Sequence, residues 1–240
     1  MRFYAFKMRM LIFKMLRHFF ELFNISMFSK PGLNGLDDKL EKYLNYTNGF
    51  FIEAGGNDGF LQSNTYYLEK FKDWNGILIE GIPELYEKCK SERKNSKVYN
   101  YALVSNEFKE SYVEMHFANL MSVVDGSMKS EEGQRKHIEN GVQVQDLKQS
   151  YSVNVKSKTL ESILDDLEKP VKIDFLSLDV EGYELEVLKG MNLKKYKPNY
   201  ILVEARNFEE INDYLIQQYE LVEQMTYHDY LYKLKSNDNR

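Results

Sequence analysis

The stretch Phe50-Phe51-Ile52-Glu53-Ala54-Gly55-Gly56-Asn57-Asp58-Gly59 decides the fold. Three apolar residues run into an acid, and then into three glycines within five positions. An apolar run this short, cut off by glycine, predicts a buried strand rather than a helix. Beyond Gly59, Tyr66, Tyr67, Leu68 and Phe71 share one helical face. Strand, glycine turn and helix form a unit that brings backbone close to a nucleotide-like ligand, because glycine permits positive φ and leaves room. Glycines alone would make an ordinary βα turn, so the residues around them carry the argument.

A dinucleotide fingerprint needs Gly-x-Gly-x-x-Gly. Here Asn57 stands at its second glycine and Phe60 at its third. The pattern present is Glu53-x-Gly55-x-Asn57-x-Gly59, with an acid ahead of the glycines. That suits a ligand with a positive amino group better than a pyrophosphate. S-adenosylmethionine, with an ammonium, a sulfonium and no phosphate, is such a ligand.

Two further runs point to the same crevice. Ile77-Leu78-Ile79 follows a Trp74-Asn75-Gly76 turn and is closed by Glu80, twenty-one residues past Gly59. Nucleotide-binding α/β folds place an acid on the ribose hydroxyls near that offset. Ile173 to Leu178 reads as a strand ending at Asp179, and Val180-Glu181-Gly182-Tyr183-Glu184 leads into a helix that stops at Gly190. Tyr200 to Val203 is another buried strand, ending in Glu204.

In order along the chain, FIEAGGNDG, SNTYYLE, GILIEGIPELY, SLDVEGYELEVLKG and YILVEAR resemble the motifs of FkbM-type methyltransferases. The resemblance runs from about Asn48 to Arg206, and Asp179-Val-Glu-Gly-x-Glu184 is its most specific piece; Gly56 and Gly81 depart from it. It implies a class I (Rossmann-like) α/β fold: a seven-stranded, mostly parallel sheet with helices on both faces and a C-terminal antiparallel strand pair. It also implies S-adenosylmethionine as cofactor and O-methylation of a hydroxyl, often on a saccharide or glycoconjugate. The expected cofactor side comprises Glu53, Gly55, Asn57, Asp58, Gly59, Asn64, Glu80, Ser105 and Asp179, with Ser105 beside the adenine. Methyl transfer to a hydroxyl requires in-line alignment and removal of a proton. Asp179, Glu181 and Glu204 are the acids placed for that chemistry, with Glu181 expected to open a helix, where the macrodipole stabilises its charge. Asp179 and Glu204 together would suit Mg²⁺. Two acids make a thin site, and no metal is expected. The four histidines are weaker candidates, of which His116 and His228 merit mutation.

Length and composition bound the alternatives. A chain of 240 residues with 43% hydrophobic residues suits one soluble α/β domain with a sizeable core. A net charge of −5 argues against nucleic acid as the main partner. The single cysteine, Cys89, excludes an internal disulfide and a cysteine metal site. The expected partner is a small-molecule or glycan acceptor. The oligomeric state is open. No P-loop, Gly-x-Ser-x-Gly elbow or paired-histidine motif is present.

Residues 1–35 are read as a basic amphipathic helix and linker, and 36–240 as the methyltransferase domain. Arg2, Lys7, Arg9, Lys14 and Arg17 precede the first acid, Glu21, and fall on one half of a helical wheel. Leu11, Ile12, Met15, Leu16, Phe19, Leu22 and Phe23 fall on the other half, and Phe3, Phe6, Met10 and Phe13 intrude on the basic one, so the separation is incomplete. The apolar runs are too short to span a bilayer or to form a secretory signal, so the chain is expected to be cytoplasmic. Two readings stand for residues 1–23: a helix capping the domain core, or a peripheral helix lying on an anionic membrane. Val98 to Val104 predicts a third strand, and Ser111 to Phe117 and Tyr151 to Ser157 two more. Residues 120–150, broken by Gly126, Gly133 and Gly141, form an irregular insert that reads as a lid or a surface excursion. The competing functional class is a non-catalytic scaffold that keeps the fold and sits on membranes through its basic leader.

Overall fold

The computed structural model describes residues 2–128 and 130–236, and within the first helix it describes side chains from Ile12 onward. The side chains of Arg2, Lys7 and Arg9, and the last residues of the predicted domain, 237–240, lie outside the described residues.

Helix α1 (Arg2–Leu22) and a short helix α2 (Leu36–Leu40) precede strand β1 (Phe50–Ala54). The chain then runs through α3 (Tyr66–Phe71), β2 (Asn75–Ile79), α4 (Pro83–Glu92), β3 (Lys97–Tyr99), β4 (Ala102–Leu103), β5 (Tyr112–Phe117) and β6 (Val123–Val124). The second half comprises α5 (Glu131–Val144), β7 (Tyr151–Lys158), α6 (Leu160–Asp165), β8 (Phe175–Leu178), α7 (Glu184–Lys189), β9 (Tyr200–Glu204), α8 (Phe208–Leu215), β10 (Tyr219–Gln224) and β11 (Asp229–Leu234).

The mostly parallel sheet expected for this fold is present, in the order β10-β11-β9-β8-β1-β2-β3. Strands β3, β2, β1, β8 and β9 are mutually parallel, and β11 runs antiparallel to both β9 and β10. The central strands read as unbroken apolar runs because both faces are covered. Ile52, Ala54, Leu176, Leu178, Ile201 and Val203 face the helices α6, α7 and α8. Their alternates Phe51, Phe175 and Leu202 face α2, α3 and α4, in a core that also takes in Trp74 and the buried Cys89. Thr159 caps α6, its hydroxyl accepting from the Ser162 N–H at 3.2 Å.

Two expectations need correction. The predicted third strand, Val98 to Val104, is split: β3 stays in the main sheet, while β4 joins a second sheet, β4-β7-β5-β6. Asn100 makes the break, donating from Nδ2 to the Glu80 and Gly81 carbonyls at 2.8 and 2.7 Å. The irregular insert contains the fourteen-residue helix α5, capped by Ser130 accepting from Gly133 N–H. Its glycines, which count against a helix in sequence, have a packing role at Gly141. A Cβ there would crowd those of Ala118 and Met121 at 2.9 and 3.0 Å.

The leader departs from its core-capping reading. Arg17 is only 2% exposed; it pairs with Glu92 of α4, and its guanidinium lies 3.6 Å from the centroid of the Phe60 ring. Lys14 also bonds Glu92 at 2.8 Å, and Glu21 accepts from Tyr66 and Ser29 hydroxyls at 2.8 Å each. Helix α1 therefore docks through its charged side, and its apolar side points outward.

Candidate functional site

The carboxyl ends of β1, β2, β3 and β8 open onto one crevice, enclosing about 740 Å³ with its mouth and lined by Gly55, Asn57, Glu80, Tyr101, Asp179 and Glu181 among others. Gly55 forms its floor at φ +87°, and a Cβ there would overlap the Asp179 carbonyl oxygen. Only glycine lets the two loops close this tightly. Asn57, also at positive φ (44°), turns its N–H to Glu80 Oε2 at 2.8 Å, and Ile82 N–H donates to Glu80 Oε1 at 2.8 Å. Glu80 thus braces the glycine loop from the crevice wall. Burial pushes its carboxyl up to about 7.

Several predicted cofactor residues lie elsewhere. The strand runs one residue further than Glu53, to Ala54, so strand alternation turns Glu53 to the same side as Phe51, away from the crevice. Its carboxylate is 4% exposed and accepts from Ser63 Oγ (2.9 Å), Asn64 N–H (2.9 Å), Thr65 Oγ1 (2.6 Å) and Arg93 Nη1 (3.3 Å). Asp58 caps the Phe60 and Leu61 N–H groups at 2.9 and 2.8 Å, and Asn64 donates to Ser177 Oγ at 3.1 Å. A Cβ on Gly59 would meet Arg93 and Cys89, so this glycine serves packing. Ser105 is buried beside Glu186, and Tyr101, Ala102 and Leu103 take its expected place on the crevice wall. The chain leaves the main sheet at Asn100, which moves Tyr101 to Ser105 off the predicted path.

The predicted catalytic acids converge. Asp179, Glu181 and Glu204 offer oxygens within 4.8 Å of one another. Burial, with Glu204 alongside sharing a hydrogen bond, raises the Asp179 carboxyl well above the carboxylate range. Burial and then the charge of Glu204 push Glu181 up to about 8, against the pull of Arg206. Glu181 does not open a helix as expected. It sits at φ +58°, followed by Gly182 at φ +100°, in the turn before α7. Glu184 holds that turn, its Oε1 accepting from Val180 and Gly182 N–H at 3.1 and 2.9 Å.

Basic groups surround the acids: Arg206 and His137, which the sequence reading did not place there, and His228, which it marked for mutation. Arg206 donates to Glu181 Oε2 and to His137 Nδ1 at 3.3 Å. His137, delivered by α5, donates from Nε2 to the Met121 carbonyl at 3.0 Å, and burial beside Arg206 lowers its pKa and keeps it neutral. His228 Nε2 lies 3.0 Å from Glu204 Oε1. Arg206 was legible, two residues past Glu204 in the YILVEAR motif; His137 rides a helix that the sequence pattern did not announce. Of the other histidines, His116 lies apart, between Asp125 at 3.0 Å and Ser152 at 2.9 Å. Three hard carboxylates rather than the expected pair suit a divalent cation in donor type. Arg206 and His228 already engage two of them.

A glycine-floored crevice at the carboxyl ends of parallel strands, walled by buried acids, is the layout of a ligand-binding α/β enzyme. Residues 53–234 match the methyltransferase FkbM domain, and the chain belongs to the FkbM methyltransferase family. Helix α1 and its linker precede the matched segment. Among solved structures, a TehB-like SAM-dependent methyltransferase from Corynebacterium glutamicum aligns over 83% of this chain and 88% of its own, at 9% identity and a TM-score of 0.41. That likeness is too loose to carry a conclusion. No curated protein matches the chain.

Proposed function

We propose that the protein is an S-adenosylmethionine-dependent O-methyltransferase acting on a saccharide or glycoconjugate hydroxyl. The observation that carries this reading is the meeting of the Gly55 loop with Asp179 and Glu181 in one crevice, with Glu204 close behind them. The Gly55 loop, packed on the Asp179 backbone, and the acids beside it fit a cofactor that is positively charged and free of phosphate. When bound, that cofactor supplies an electrophilic methyl group. Glu80 and Asn57 hold the loop that receives it, and Asp179 closes the floor. Glu181, poised near neutral pH, accepts the acceptor's hydroxyl proton; general bases work best with a pKa near the operating pH. Arg206 orients that carboxylate, and neutral His137 keeps the arginine in place. The scaffold reading is not favoured, because Asp179, Glu181 and Glu204 crowd like charges together beside the crevice, an arrangement typical of reacting sites.

Calorimetric titration with S-adenosylhomocysteine tests the cofactor, and transfer of labelled methyl into glycan pools tests the acceptor class. Folded protein that binds none of the cofactor product overturns the reading.

A further inference from the structure

The outward side of α1 is the unexplained surface of this molecule. Ile12, Met15, Leu16, Phe19, Leu22 and Phe23 are between 44% and 83% exposed. At the helical repeat they occupy an arc of ~120°. Phe13 and Phe20 turn the other way, onto Phe28 at 5.5 and 5.4 Å between ring centroids. The orientation is anchored. Arg17, buried between Glu92 and Phe60, and Glu21, held by Tyr66 and Ser29, lie opposite the apolar arc and fix the helix to α3 and α4. A continuous apolar stripe of this size on a soluble surface marks an interaction site.

We infer that this stripe is the protein's docking surface for an anionic lipid bilayer, with the helix lying in the interface plane and the methyltransferase domain held on its far side. Charge selects this occupant. Arg17 and Lys14 engage Glu92, and the sequence ahead of them adds Arg2, Lys7 and Arg9 and no acid. A basic helix with a large apolar face binds headgroups by charge and acyl chains by burial. A second copy stacked on the same stripe would bring two such leaders together, basic against basic. No described helix is long and apolar enough to cross a membrane, so the contact is peripheral.

The test is flotation of the full chain with vesicles of phosphatidylcholine alone and of phosphatidylcholine with 30% phosphatidylserine, a composition chosen to give roughly the surface charge of an anionic leaflet. The double variant Phe19→Glu, Leu22→Glu alters only exposed side chains, and its unchanged thermal unfolding serves as the folding control. The expected result is binding to the anionic vesicles, at least tenfold weaker in the double variant and weakened by salt. Failure of the full chain to float with anionic vesicles overturns the inference, as does equal binding by the double variant. So does a self-association seen by sedimentation that the double variant abolishes without any vesicle binding, which would assign the stripe to a second copy.

Discussion

Gly55 and Asp179, 124 residues apart, are packed so closely that a Cβ on the glycine would overlap the aspartate's carbonyl oxygen. Strands β1 and β8 are thereby locked together at the crevice floor. Gly55→Val should lower affinity for S-adenosylhomocysteine on the order of 10²-fold, a loss of about 2.7 kcal/mol. Gly59→Ala should instead lower the melting temperature while a folded fraction retains its affinity, because its Cβ meets Arg93 and Cys89 rather than the crevice. Calorimetry and thermal unfolding on both variants separate the two roles.

Glu181→Gln should keep cofactor affinity within a few fold and lower turnover by on the order of 10²-fold or more. Because burial and Glu204 hold this carboxyl up to about 8, wild-type turnover should rise with pH until that region is passed, as the basic form accumulates. The glutamine variant should lack this rise. A variant that binds cofactor poorly but turns over normally once saturated would place Glu181 on the wrong side of the crevice.

Stability should fall as pH rises. Burial holds Glu184 at about 7 in the fold, above the roughly 4.3 of an unfolded glutamate, so the native state retains the proton longer. Its contribution is complete below the unfolded value and is lost as pH climbs through the folded one. Glu184 uses a single oxygen to accept from Val180 and Gly182, so glutamine can keep both bonds. Glu184→Gln should match wild type near pH 5 and exceed it near pH 8 by on the order of 2 kcal/mol. Denaturant unfolding at the two pH values gives the comparison, and a variant less stable at both would refute the assignment.

Arg93→Met should be strongly destabilising, by about 3–5 kcal/mol. The guanidinium is fully buried, bonding Glu69 at 2.9 Å and Glu53 at 3.3 Å, and its removal strands both carboxylates in the core. Glu53→Gln should likewise act on stability rather than specifically on cofactor affinity. A Glu53→Gln protein with wild-type melting and lost S-adenosylhomocysteine binding would restore Glu53 to the cofactor side.

Local pattern was enough to locate the strands β1, β2, β8 and β9, the helices after β1 and β8, and the acids Glu80, Asp179, Glu181 and Glu204 near the strand ends. Short apolar runs bounded by glycine and acid report double-sided burial locally, without any knowledge of partners. Long-range packing set the rest. Glu53 was assigned to the crevice as a strand-end residue, but the strand extends to Ala54, and one position of parity sends a side chain to the opposite face. Ser105 was displaced because Asn100 bonds the carbonyls of Glu80 and Gly81, a contact across twenty residues that no local pattern records. His137 reached the acids only through α5, whose glycines weaken its helical signal but let it pack. Helix α1 shows the limit most directly. Its two halves are legible in the sequence, if incompletely separated, but which side docks depends on Glu92, Phe60 and Tyr66 on the domain surface. A helix's own residues specify its two faces, and only the surface it lands on specifies which of them is inside.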